Sequence, residues 1–412
     1  MICIAGGTYF EACTEPYWNQ LFGSGLRAAA AISQLSDSVE LSTYISDKDK
    51  DLLESIAASF GFKANPFSVP ETIRFSYFHG LSSPIITPAI PLISKSSPHQ
   101  IQASNILRFG MLEGNAQVKG DRVVYDPQDA FNPLPFADNG SSAQHLAVVL
   151  NPREASLLEK RAGNPPSDDI SSIGRSLVDY LNAEVVVVKR GSLGAVVITR
   201  SESRNIPAFW TESVWPIGSG DVFAATFAHY WAEKGIDAFE AATQASLATA
   251  YYCSSRVLPI PANISSGEFR PAPVLVTPTT FPYIHTRVYL AGPFFTMAQR
   301  WMIEESRKYL RRQGFSIFSP FHDVGYGSAA HVVPADIKEL DACNVVFAIV
   351  DGLDAGTIFE VGYARAIKKP VVVFVQNESE GNLKMLEGTS CEIVSDFVSA
   401  IYRTTWAAIA II

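Results

Sequence analysis

Short runs of aliphatic and β-branched residues recur along the chain, apolar at consecutive positions instead of alternate ones. They are "HLAVVL" at 145–150, "AEVVVVKRG" at 183–191 and "GAVVIT" at 194–199, then "RVYLAG" at 287–292, "CNVVFAIVDG" at 343–352 and "PVVVFVQ" at 370–376. Successive residues of a strand point to opposite faces, so a run apolar throughout is buried on both. Segments with helical spacing separate the runs. The pattern predicts an α/β fold of mainly parallel sheets covered by helices.

The stretch from Leu258 to Thr286 interrupts the pattern, being rich in proline and threonine and without helical or strand periodicity beyond "VLV". It reads as a linker and divides the chain into a first domain at 1–260, a linker at 261–286 and a smaller domain at 287–412. The 412 residues suit two domains, at roughly 100–200 residues for each. No internal repeat is evident.

Composition adds limits. The chain is 47% hydrophobic and 18% charged, which is globular and not disordered. Lys plus Arg is 32 and Asp plus Glu is 41, a net charge of 32 − 41 = −9, with no long basic run. A nucleic-acid polymer is disfavoured as a partner, whereas a single nucleoside or nucleotide is not. The five cysteines lack metal-type spacing and read as buried thiols. "MICIAGGTYFE" carries no export signal, and the apolar tail "WAAIAII" is too short to span a bilayer. A cytoplasmic protein without membrane contact is expected.

In the first domain, "WPIGSGDVFAATF" (215–227) sets Gly218, Ser219 and Gly220 before Asp221 at the start of a helix. Unpaired N–H groups at such a start, with glycines that let the backbone approach, suit a phosphate. Asp221 has two readings there: a helix cap that complements the dipole, or a general base beside a bound phosphoryl group.

The segment resembles the ribokinase-like, or PfkB-type, sugar and nucleoside kinases, whose Gly-Ala-Gly-Asp anion hole has Ser219 in place of Ala here. "YDPQD" (125–129) is similar to the family's central Asp-Pro strand end, "NPRE" (151–154) to its Asn-x-x-Glu motif, and "VVVVKRGSLGAVV" (185–197) to its nucleotide-side strand and glycine turn. The resemblance implies ATP and Mg²⁺ as cofactors. It implies Asp221 as base, with Asn151, Lys189, Gly191 and Gly194 toward the nucleotide and Glu154 as an indirect magnesium residue.

At the front, "GGTYFE" ends in Glu11 where the family usually has a sugar-binding aspartate. "GSGLRAAAAISQL" (23–35) is similar to the sugar loop, with Gly23, Gly25 and, near a common asparagine, Arg27. These four residues are expected at the substrate. The short spacing between Glu11 and Gly23 leaves little room for the family's β-lid.

In the second domain, "YLAGPFFTMAQRW" (289–301) runs from a strand through a Gly-Pro turn into a helix. Asp336, Asp351, Asp354 and Glu360 lie near strand ends, the last three within "DGLDAGTIFEVGYA" (351–364). Glu360 alone reads equally as an acid complementing a helix dipole in its first turn. The group of acids points to function.

The segment resembles the nucleoside 2-deoxyribosyltransferases and the related nucleoside 5′-monophosphate N-glycosidases over roughly 287–400. That implies Glu360 as nucleophile at the anomeric carbon, and Asp336 and Asp354 on sugar hydroxyls or in proton transfer to the base. Tyr289, Gly292, Pro293 and Phe294 are expected at the substrate. The resemblance also implies a homo-oligomer.

Joined, the halves predict a bifunctional salvage enzyme that phosphorylates a nucleoside and cleaves its N-glycosidic bond. The reverse order, with a released pentose then phosphorylated, stays open. So does a nucleotide sensor with one silent half.

Overall fold

A computed structural model describes residues 1–165, 167–264, 266–276 and 286–410. The chain divides into two compact units, Met1–Thr211 with Trp215–Val274, and Glu212–Val214 with Leu275–Ile412.

The strands of the first unit are β1 (Ile2–Ala5), β2 (Phe10–Glu15), β3 (Trp18–Leu21), β4 (Val39–Ser46), β5 (Lys63–Val69), β6 (Arg74–His79), β7 (Ile85–Thr87), β8 (His99–Phe109), β9 (Ala116–Asp126), β10 (Ser142–Leu150), β11 (Val185–Lys189), β12 (Ala195–Thr199), β13 (Ser203–Ile206), β14 (Ala208–Phe209) and β15 (Pro273–Val274). Nine of them form one sheet in the order β13-β12-β11-β10-β9-β8-β1-β4-β5. It is parallel except at its β11–β12–β13 edge. Val185 and Val187 pack into one core and Val186 and Val188 into another, so the run "VVVV" is buried on both faces as its sequence predicts.

Helices α1 (Gly23–Ile32), α2 (Lys50–Phe60), α3 (Pro152–Arg161), α4 (Ile170–Tyr180), α5 (Ser219–Ala228) and α6 (Ala238–Ser255) complete the unit. Apolar residues of α1, α5 and α6 share the core of Val185, while those of α3 and α4 share the core of Val186.

Two expectations are corrected. Despite the short spacing, a second sheet forms there: β3-β2-β6-β7 has four strands, with β2–β3 and β6–β7 antiparallel and β2–β6 parallel. The hairpin fits between Glu11 and Gly23, and the other half comes from residues 74–87, a pairing that spacing near Glu11 cannot reveal. The segment 261–274, expected as the start of the linker, belongs to the first unit. There β15 pairs with β14, and Ile264 is buried in the core because the prolines leave apolar residues free to pack. Residues 277–285 of the expected linker lie outside the described residues.

The second unit contains β16 (Arg287–Ala291), β17 (Ser316–Phe318), β18 (Val345–Ile349), β19 (Val371–Phe374) and β20 (Glu392–Val394), all parallel in the order β17-β16-β18-β19-β20. Its helices are α7 (Met297–Arg312), α8 (Pro320–Asp323), α9 (Ala329–Ala342), α10 (Ala355–Ala366), α11 (Glu380–Gly388) and α12 (Phe397–Ile409). Trp406 and Ile409 of the apolar tail are buried. Among the described residues, no helix is long and apolar enough to cross a membrane.

Candidate active sites

Helix α5 begins at Ser219 behind Gly218, which sits at φ 81°. No side chain caps this start. Asp221 is the third helical residue and points elsewhere: its Oδ2 accepts from Arg27 Nη1 at 2.9 Å and its Oδ1 from Gln128 Nε2 at 2.7 Å. Asp221 makes no cap hydrogen bond, although it stays in the first turn, where an acid complements the helix dipole.

Arg27, expected at the substrate, has no exposed surface. Its guanidinium binds both oxygens of Glu11, and its Nε donates to Tyr252 Oη at 3.2 Å. Glu11 Oε1 also accepts from the Gly23 amide at 3.2 Å. Burial works against the Arg27 charge, but Glu11 outweighs it, joined by Tyr252 and Asp221, and the guanidinium stays firmly protonated with its pKa well above the usual value. Gly25 is buried against the backbone of Gly6, where a side chain would collide. Glu11, Gly23, Arg27 and Asp221 thus form one buried cluster.

A second ion pair lies beside the same loop. Lys189 Nζ donates to Asp126 Oδ2 at 2.5 Å, and a Cβ on Gly220 would stand 3.3 Å from that ammonium. Burial opposes the Lys189 charge and Asp126 restores it, so the pKa is raised. The Ser219 and Asp221 amides donate to the Pro216 and Gly218 carbonyls at 3.1 Å, and the Gly220 backbone stands beside the ammonium, where an anionic phosphate fits. Gly191 and Gly194 shape the turn after β11, with the Gly194 amide bonded to the Gly191 carbonyl at 3.0 Å.

Asn151 and Glu154 make a capping box on α3: Asn151 Oδ1 accepts from the Glu154 amide at 2.9 Å, and Glu154 Oε2 from the Asn151 amide at 2.8 Å. Burial, then repulsion from Asp126, pushes the Glu154 carboxyl up to about 7. Among the described residues, no three His, Cys, Asp or Glu side chains gather to hold a metal. Glu154 Oε2 is taken by the Asn151 amide, so a Mg²⁺ bound here would rest mainly on phosphate oxygens and water, the ligands this ion prefers.

In the second unit, Glu360 lies in the second turn of α10, because the helix starts at Ala355. A dipole-complementing role in the first turn is thereby lost. Its Oε1 accepts from Tyr289 Oη at 2.7 Å. Burial, reinforced by Asp336 and Asp354, pushes the Glu360 carboxyl up to about 7 against the opposing Tyr289 hydrogen bond. Tyr289 is raised well above its usual range by burial and by Glu360.

Asp336, on α9, has a buried Oδ1 without a hydrogen-bond partner, and burial raises its pKa. Asp354 is the N-cap of α10, with Oδ2 accepting from the Thr357 amide at 2.8 Å and its hydroxyl at 2.9 Å. Asp351 accepts from the amides of Gln376 and Asn377, which ties the loop to the residues after β19. Gly292 and Pro293 follow β16. Phe294 stacks near Phe295 and Phe321, with ring centroids at 5.1 and 5.3 Å, and Arg300 Nε holds its carbonyl at 2.9 Å.

Gln128 and Tyr252 escaped the sequence reading. Gln128 lies inside "YDPQD" at φ 48°, an uncommon conformation for a side-chain-bearing residue, and nothing local marks Tyr252, which arrives on α6.

Comparison with known proteins follows the same division. The pfkB family carbohydrate kinase model matches residues 114–258, and the nucleoside 2-deoxyribosyltransferase model matches residues 288–392. Deoxyribokinases of Salmonella typhi and Salmonella typhimurium are each 37% identical over 118 residues, 28% of this chain and 36% of theirs. The chain thus spans about a third of the length of these curated relatives. A ribokinase structure from Thermotoga maritima aligns with a TM-score of 0.47 at 18% identity, over 65% of this chain and 98% of that one. A Burkholderia thailandensis nucleoside kinase in complex with inosine aligns with a TM-score of 0.46 at 15% identity, over 62% and 92%. The N-terminal part of this protein resembles the pfkB carbohydrate kinases and its C-terminal part the nucleoside 2-deoxyribosyltransferases.

Proposed function

We propose that the protein is a bifunctional nucleoside salvage enzyme, with an ATP-dependent kinase in the first unit and an N-glycosidic cleavage or transfer activity in the second. One observation, made in both units, carries the reading. A carboxylate on a helix spends its oxygens on side chains brought from elsewhere in the fold: Asp221 on Arg27 and Gln128, Glu360 on Tyr289. Acids held in this way concentrate at functional sites.

In the first unit the start of α5 and Lys189 receive the phosphates, with Asn151 and Glu154 nearby in the role expected for magnesium. Bound ATP with Mg²⁺ supplies the transferable phosphoryl group. Asp221 takes the proton from the acceptor hydroxyl, whose oxygen forms the new bond to phosphorus as the bridging bond breaks. In the second unit, ionised Glu360 attacks the anomeric carbon and the C–N bond breaks. Its electron pair leaves with the base, which takes a proton from Asp336. Water or a second base then displaces Glu360.

Two orders are compatible with these roles. Phosphorylation first gives a nucleoside 5′-monophosphate whose phosphate helps to orient the sugar at Glu360. Similarity to deoxyribokinases favours the second order, in which a pentose is released and then phosphorylated. A nucleoside panel incubated with the protein and Mg²⁺, with and without ATP, and followed by chromatography separates them. Free base that appears only with ATP establishes kinase first, and free base released equally without ATP establishes cleavage first. Absence of both phosphorylated product and free base sinks the enzymatic reading.

A further inference from the structure

The cluster around Arg27 joins segments distant in sequence. Its guanidinium binds Glu11 on β2, Asp221 on α5 and the hydroxyl of Tyr252 on α6. Tyr252 in turn donates to the Ile217 carbonyl at 2.9 Å, one residue before the phosphate loop. Gly218 rests directly on this arginine: a Cβ there would stand 2.1 Å from Arg27 Nε. The arginine therefore supports both the base and the backbone that precedes it, without any surface through which to touch an acceptor.

We propose that Arg27 is a positioning residue that aims the Asp221 carboxylate from beneath the phosphate loop, with Glu11 as its permanent counter-charge; this role rests on the kinase reading above. Charge balance explains the pairing. When Asp221 accepts the acceptor's proton it becomes neutral and can no longer balance a buried guanidinium. A buried cation left unpaired is strongly unfavourable. Glu11, bound through both oxygens, keeps Arg27 neutralised throughout, so only Asp221 changes charge. Gln128 holds the opposite oxygen at 2.7 Å, which leaves the carboxylate little freedom to rotate. Glu11 and Arg27 thus act together where the sequence pattern suggested two separate contacts to substrate.

The test uses the full chain carrying Arg27→Lys, and separately the double variant Glu11→Gln with Arg27→Gln, which removes one charge of each sign and leaves the cluster's net charge unchanged. Folding is followed by thermal melting, Mg²⁺-ATP binding by calorimetry and phosphoryl transfer by steady-state kinetics. For a folded variant the expected result is a kcat lowered by about 10²-fold, the scale of a misplaced catalytic group. ATP affinity and the KM for ATP should stay near the wild-type values, with Arg27→Lys less impaired than the double variant. A purely structural role would instead lower melting, ATP binding and kcat together. Wild-type kcat in a folded variant overturns the positioning role alone, whereas a wild-type chain inert toward every acceptor removes the kinase reading and this role with it.

Discussion

Replacement of Glu360 by alanine should stop release of free base while ATP-dependent phosphorylation continues at the wild-type rate. In the proposed reaction this carboxylate traps the anomeric carbon, and loss of such a nucleophile removes the covalent route. A loss of at least about 10³-fold in base release is expected, since no neighbouring acid is equivalently held. Asp354 is occupied by the start of α10, and Asp336 belongs to another helix. Chromatography of the variant's products checks this, and unchanged base release would remove Glu360 as nucleophile. The pH profile of the intact protein provides a second check. Burial pushes the Glu360 carboxyl up to about 7. The ionised form is the nucleophile, so the acidic limb of base release should rise with pH through a midpoint near neutrality, with a fall at higher pH where Asp336 has lost the proton it gives to the base. A profile already flat by pH 5 would contradict the buried, Tyr289-bound state.

Asp221→Asn should abolish phosphoryl transfer and leave glycosidic chemistry running. The substitution keeps the shape of the side chain but removes its ability to take a proton, and a general base contributes about 10²–10⁴-fold. It also replaces an acceptor of the Arg27 bond with an amide, while Glu11 continues to neutralise the guanidinium. The fold should therefore persist, measurable as an unchanged circular dichroism spectrum and retained ATP binding. A fall in turnover of less than about tenfold would count against Asp221 as base.

Much of this arrangement was legible in the chain. Runs such as "VVVV" at 185–188 and "VVFAI" at 345–349 form buried strands with a parallel neighbour on one side or both, because neither face offers a polar residue to solvent. Gly218 is required where the loop meets the buried Arg27 guanidinium at positive φ, and the Gly-Ser-Gly-Asp spacing announces that turn. The second sheet was less accessible to sequence reading. Its hairpin is short, and its other half lies beyond two further strands and two helices, so the parallel pairing of β2 with β6 has no local signature. The segment after Leu258 misled for a related reason: proline removes the periodic signal of a strand or helix without preventing Ile260 and Ile264 from filling the core.

Residue types and their spacing by themselves determined the α/β class, the glycines at the start of α5 and the candidate acids on α5 and α10. These follow from local rules, in which side-chain periodicity, backbone freedom and helix ends act over a few residues. Only the tertiary structure decided what each acid does with its oxygens. Asp221 and Asp354 both stand at helix starts, yet one is drawn away by Arg27 and Gln128 while the other caps its helix. The outcome depends on partners distant in sequence, because a buried carboxylate takes whichever donors the packing brings within hydrogen-bond distance, and that choice has no local pattern.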